Sequence, residues 1–169
     1  GDVYKRQMYN PEQLSAIEEI KQLKSRYFRL MDTKQWDEWR TIFTDDMVQI
    51  TDITVPDANG EVMQNQPING GDEMVACVSK LLQNFKTVHH GHMFELIALS
   101  DETAEGIWAM EDIVETPNGK LQGYGHYHEK YAKVNGQWRI SYSHLSRLRV
   151  DVSGDFFADA AATESVTPA

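Results

Sequence analysis

Five of the six histidines cluster at positions 89, 90, 92, 126 and 128, with His144 further on. Imidazole is the side chain whose ordinary charge change falls near neutral pH, so such a cluster invites acid–base or metal chemistry. Both groups lie in runs with strand character. Alternation in Val88-His89-His90-Gly91-His92 puts His90 and His92 on one face and His89 on the other, beside the open patch left by Gly91. In Gly123-Tyr124-Gly125-His126-Tyr127-His128, His126 and His128 share a face while Tyr127 shares the opposite one with Glu129 and Tyr131. Three readings follow. One histidine is a general base held in its tautomer by a carboxylate, for which Asp32 and Asp112 are the candidates. Alternatively, the His-x-His pairs supply adjacent metal ligands. In the third reading, the sheet histidines and tyrosines satisfy one another and the backbone.

Glu111-Asp112 is a carboxylate pair inside an otherwise apolar run, and Asp112 shares parity with Trp108 and Met110, which points it inward. An inward carboxylate is either a catalytic acid with a raised pKa or half of an ion pair with Arg147 or Arg149. Tyr27 falls in the middle of a helical apolar stripe. Its phenol is an acid or oxyanion donor, or that of an ordinary amphipathic core residue. Asp32 lies roughly 115° from the centre of that stripe at about 100° per residue, at the helix end, where it can line a cavity mouth. Trp36, Phe94, Trp108, Met110 and Leu145 border the expected site and either suit a hydrophobic, polycyclic substrate or are the residues any core would show; His92, His126 and His128 complete the candidate binding set. No glycine-rich cofactor loop, nucleophile elbow, paired-cysteine motif or phosphate-binding loop occurs, so no cofactor is expected. Cys77, on an apolar helix face, reads as a small core residue.

These residues need elements to position them. Asn10 as N-cap and Pro11 at the first helical position start a helix to about Met31, with Leu14, Ile17, Ile20, Leu23, Tyr27, Leu30 and Met31 as its buried stripe. A second helix is expected over Gln35–Phe43, stopped by Asp45-Asp46. Met47–Val55 reads as a strand, followed by a Pro-, Gly- and Asn-containing loop and a third helix from Asp72 to about Phe85. From Thr87 the period changes to two. Four strands follow, 87–99, 103–115, 120–134 and 137–152, and Asn135-Gly136 is a two-residue hairpin signal. The outcome is an α+β domain in which early helices cover the concave face of a curved antiparallel meander and leave one pocket. Residues 1–10 read as an extension, with Met8 a plausible initiator. Residues 11–152 form the domain, and 153–169 a mobile tail or loosely docked turn.

The chain has 169 residues, enough for one domain, and 16 Lys plus Arg against 26 Asp plus Glu give a net charge of −10. That balance disfavours nucleic acid and anionic membrane surfaces as partners. No apolar run approaches the length of a membrane span, and the lone cysteine cannot form an internal disulfide, so a cytoplasmic, reducing setting is expected.

The run from Ile20 to Asp37, together with Val88-His89-His90-Gly91-His92 and Asn135-Gly136-Gln137-Trp138-Arg139-Ile140, resembles the SnoaL-like group of the nuclear transport factor 2-like superfamily. The likeness spans about Leu14 to Val152 and implies a cone-shaped α+β fold. Within that group it resembles the bile acid 7α-dehydratases, with scytalone dehydratase and lindane dehydrochlorinase more distant. The resemblance implies catalytic roles for Tyr27 and Asp32 (a Tyr-x4-Asp pair), His89, Asp112 and Arg147. It also implies cofactor-independent elimination of water from a hydroxy carbonyl compound, with no metal, and a homodimer or homotrimer. An isomerase or cyclase and a non-catalytic dimeric binding module are the alternatives, because this scaffold hosts all of them. His90, the segment from Tyr124 to His128 and the loop between Val55 and Gly71 depart from the pattern and leave the substrate open.

Overall fold

The computed structural model describes residues 8–164. The reading of the first seven residues, and the end of the expected tail, therefore lie outside the described residues. Helix α1 (Pro11–Asp32) opens on a reciprocal capping box: Asn10 Oδ1 accepts from the Gln13 amide at 2.8 Å, and Gln13 Oε1 accepts from the Asn10 amide at 2.9 Å. It buries Ile17, Ile20, Leu23, Tyr27, Leu30 and Met31, and also Lys24, whereas Leu14 stays 51% exposed.

Helix α2 is shorter than the 35–43 expectation and covers only Trp36–Arg40. The chain then enters strand β1 (Phe43–Thr51), because Phe43 and Met47 are both drawn fully into the core at strand spacing. Asp45 and Asp46 thus stand in a strand and do not end a helix. Arg40 holds Asp45 and Asp72 at 2.6 Å each, tying β1 to the next helix. A two-residue strand β2 (Ile68–Asn69), unread in the sequence, pairs with β1 ahead of α3 (Gly71–Leu81). Cys77 on α3 is only half-buried, with its thiol 3.2 Å from Glu73 Oε1, so it is not a core residue.

Strands β3 (Lys86–Leu99), β4 (Thr103–Glu115), β5 (Gly119–Val134) and β6 (Gln137–Gly154) form the antiparallel meander, and the sheet order is β2-β1-β6-β5-β4-β3. The sheet as a whole is mixed, which corrects the all-antiparallel reading. β1 lies parallel to β6, Thr51 opposite Leu145, because the chain leaves β1 through α3 for the far edge. Asn135 and Gly136 take φ of 51° and 77°, as a two-residue hairpin turn requires. The segment expected to be a tail forms helix α4 (Phe156–Glu164), which buries Phe156. Asp159 pins it to the β4–β5 turn by accepting from the Asn118 amide at 2.8 Å and its Nδ2 at 2.9 Å. The missed signal is Phe156-Phe157 followed at helical spacing by Ala160-Ala161. Among the described residues no helix is long and apolar enough to cross a membrane.

The main core packs α1, α2 and α3 on the sheet around Trp39, Phe43, Trp138 and Ile140. A charge lies inside it. Lys24 and Glu129 are fully buried and in direct contact, and Glu129 also accepts from the Tyr131 hydroxyl at 2.6 Å. The Lys24 ammonium stands 3.8 Å from the ring centroids of both Tyr27 and Tyr127. Burial pushes its pKa down and the Glu129 carboxylate opposes that shift. Lys24→Met leaves Glu129 buried and uncompensated and is expected to lower stability by about 3–5 kcal/mol. Adding Glu129→Gln should restore at least half of that loss in urea unfolding, whereas an additive loss would exclude the coupling.

Candidate functional site

A cavity of about 400 Å³ lies between the concave sheet face and helices α1, α3 and α4. Its apolar wall includes Met31, Met74, Leu82, Phe85, Leu121 and Leu145, and Phe156, Phe157, Ala160 and Ala161 of α4 close one side. Tyr27, His89, Asp112 and Arg147 face the same space.

Asp32, the last residue of α1, stands over β3. Its Oδ1 lies 2.7 Å from His89 Nδ1 and accepts from Thr87 Oγ1 at 2.8 Å, while Oδ2 accepts from the His89 amide at 2.9 Å. A carboxylate fixed by three partners assigns the proton to Nδ1, which leaves Nε2 as the basic nitrogen. Nε2 has no partner among the described residues, and the His89 side chain is only 10% exposed. At Gly91 the Phe28 ring of α1 packs directly on the strand: a Cβ there would lie 2.8 Å from two of its ring carbons, so a side chain would displace the ring.

Asp112 sits opposite His89 on β4, and its Oδ1 accepts from Arg147 Nη1 at 2.8 Å across the sheet. The intervening residue on β5 is Gly123, where a Cβ would overlap both Arg147 Nη1 and Asp112 Oδ1. Arg147 Nε donates to the Asp52 carbonyl at 3.2 Å, and Nη2 has no partner among the described residues. Arg149, the other candidate partner, is exposed and pairs with Asp151. The Tyr27 phenol is held far above its ordinary range, first by burial and then by Glu129, Asp32 and Asp112, so it remains a donor.

Tyr27, His89, Asp112, Arg147 and Leu145 are thus brought to one cavity, with Asp32 behind His89. Four expected wall residues are not there. Trp108 and Met110 share the inner face but are covered in a separate apolar cluster with Tyr127, Leu145, Phe28 and Phe94, and the Trp108 indole donates to the Tyr131 hydroxyl at 3.0 Å. Phe94 lies against Trp108 with ring centroids 4.7 Å apart, since a bulge at Met93 (φ 48°) reverses the alternation. Trp36 packs on Trp39 at the helix pair.

His92, His126 and His128 are corrected as well, because all three project from the outer face. Once His89 and Tyr127 point inward, alternate positions must point out. His92 stacks on His90 at 5.8 Å and lies 3.8 Å from Glu111, while His128 Nε2 lies 3.1 Å from Ser146 Oγ. Among the described residues no group of three or more His, Cys, Asp or Glu side chains is placed to hold a metal ion. The sequence reading missed Gln49, Thr51, Asp52, Asn65 and Tyr127, which also line the cavity. Parity with Glu129 could have found Tyr127. Nothing local marks the β1 residues, which reach the cavity through the parallel pairing with β6.

Burial, followed by the charges of His144 and His126, holds the His128 pKa below 6.5. Its folded pKa is below the unfolded value, so its contribution is favourable above about pH 6.5 and is lost as pH falls towards the folded value. His128→Gln is expected to flatten the decline of Tm between pH 7.5 and 5; an unchanged decline would place the acid sensitivity elsewhere.

The comparisons with known proteins agree with this architecture. A probable cyclase, FGR4, from Gibberella zeae is 25% identical over 137 residues, covering 76% of this chain and 89% of the relative. The crystal structure of a putative scytalone dehydratase from Novosphingobium aromaticivorans superposes with a TM-score of 0.69 at 19% identity, covering 83% of this chain and 89% of that one. Hexachlorocyclohexane dehydrochlorinase LinA-type3 from Novosphingobium barchaimii superposes with a TM-score of 0.66 at 18% identity, covering 84% and 92%. These two structural likenesses show the nuclear transport factor 2-like fold. The profile of the SnoaL-like domain matches residues 12–144, and the chain belongs to that family.

Proposed function

We propose that the protein is a lyase that eliminates water from a hydrophobic hydroxy carbonyl compound without a cofactor. The observation that carries this reading is the Asp32–His89 contact of 2.7 Å, with the opposite imidazole nitrogen turned to the cavity. His89 Nε2 takes the proton next to the carbonyl, the released electron pair forms an enolate, and the Asp32 carboxylate stabilises the imidazolium formed on His89. The Tyr27 hydroxyl, the unpaired Arg147 Nη2 and the unpaired Tyr127 hydroxyl are the available donors to the enolate oxygen. Collapse of the enolate forms the carbon–carbon double bond and breaks the carbon–oxygen bond at the adjacent carbon. The imidazolium returns its proton to the departing hydroxide, so substrate gives unsaturated carbonyl plus water and His89 is regenerated.

The likeness to a probable cyclase supports a second reading in which the same enolate attacks within the molecule or is reprotonated elsewhere. The two readings share the base and differ in mass balance. Incubation with a panel of hydroxysteroids and other β-hydroxy carbonyl compounds, read by mass spectrometry, is expected to show loss of one water. His89→Ala and Asp32→Asn should lower the rate by about 10²–10⁴-fold while leaving the fold and ligand binding in place. A mass-neutral product would replace the lyase with an isomerase or cyclase. Binding without turnover across the panel would make the cavity a non-catalytic ligand site.

A further inference from the structure

Two tyrosines line the cavity without a hydrogen bond to hold their polar ends. The Tyr127 hydroxyl is buried with no partner, and the Tyr27 hydroxyl bonds to none of the described residues. The χ2 torsion of an aromatic ring is soft, so the direction of each hydroxyl is set by what packs on the ring faces. Here a charge packs on them. Lys24 and Tyr27 stand three residues apart on the buried face of α1, and Tyr127 and Glu129 stand two apart on the inner face of β5. The Lys24 ammonium lies 3.8 Å from each tyrosine centroid, and the two rings meet at 76° with their centroids 6.3 Å apart. One cation thus fills the corner between two ring faces. Glu129, which touches the ammonium and accepts from the Tyr131 hydroxyl at 2.6 Å, balances its charge.

Attraction between a cation and a ring face is strongest where water is excluded, and Lys24 is fully buried. Helix and sheet each supply one of the two rings, so the ammonium fixes their mutual geometry across the gap between the layers. The elimination chemistry makes no other use of it. We propose that Lys24 is a positioning residue: its ammonium, shared between the faces of Tyr27 and Tyr127, sets the angle and spacing at which the two hydroxyls are offered to a ligand's carbonyl oxygen. The proposal rests on the reading of those hydroxyls as donors to the enolate oxygen. The ammonium also screens both rings from the Glu129 carboxylate, whose charge would otherwise oppose negative charge on the oxygen they hold.

Calorimetry and isotope-edited infrared spectroscopy test this without turnover. The probe is 1-tetralone labelled at its carbonyl, and the reference is tetralin, which lacks the oxygen. The ketone is expected to bind about tenfold tighter than tetralin, with its carbonyl stretch moved to lower wavenumber in the bound state. Tyr27→Phe and Tyr127→Phe should each weaken both readings. Lys24→Met combined with Glu129→Gln, the neutral pair whose stability is expected to recover, should cut the preference below about threefold and reverse part of the stretch shift, with tetralin binding unchanged. Tyr131→Phe loosens the same buried network but keeps the ammonium over the rings, and should leave both readings as in the native protein. Native preference and stretch in the folded double variant, an equal effect of Tyr131→Phe, or no preference for or binding of 1-tetralone by the native protein would each overturn the proposal. A Lys24-dependent preference without water elimination would retire the lyase and leave the positioning role. Water elimination at native kcat in the double variant would strike the positioning role and leave the lyase.

Discussion

An ammonium with no access to solvent must be neutralised where it stands, and in this protein that ammonium belongs to Lys24. Its partner Glu129 comes from the middle of β5, more than a hundred residues away in the chain. The pair therefore fixes the position of α1 over the sheet at one point, and the Phe28–Gly91 approach fixes it at a second. With both contacts made, the end of α1 has little freedom left. Asp32 is carried to β3, and the histidine beside it acquires a defined tautomer.

The inner sheet face is unusual in the number of charges it buries. Glu129 faces Lys24, Asp112 faces Arg147, and Asp32 faces His89. Each ionised group has a partner at hydrogen-bond range, which is what a low-dielectric interior demands. The pairing leaves few polar atoms free: His89 Nε2, Arg147 Nη2, the Tyr27 and Tyr127 hydroxyls and Gln49 Oε1. Chemistry in the cavity is therefore confined to these atoms, while Met31, Met74, Leu82 and Leu145 keep the rest of the wall apolar.

The two sheet faces divide the histidines. Alternation sends His89 inward and His90, His92, His126 and His128 outward, and the bulge at Met93 shifts the parity of β3 beyond it. Helix α4 closes a cavity that α1 and α3 alone would leave open. It is held there by Asp159 on the Asn118 turn and by Phe156 beneath it.

Local signals determined a large part of this architecture. The capping box and apolar stripe of α1, the Asn135-Gly136 hairpin and the period-two runs follow from nearest-neighbour sterics and amphipathicity, so they are legible residue by residue. Parity also pointed Asp112 inward and set His89 opposite His90 and His92, without deciding which of the two sets faces the cavity. Tertiary structure decided the rest. The choice of Arg147 over Arg149, the parallel contact that brings Gln49 and Thr51 to the cavity, and the exclusion of Trp36, Phe94, Trp108 and Met110 from its wall depend on which strands pair and where one bulge falls. Burial of Lys24 is the clearest case. No sequence window shows that a lysine on a helix will meet a glutamate from the sheet interior, because that pairing exists only once both elements have desolvated each other.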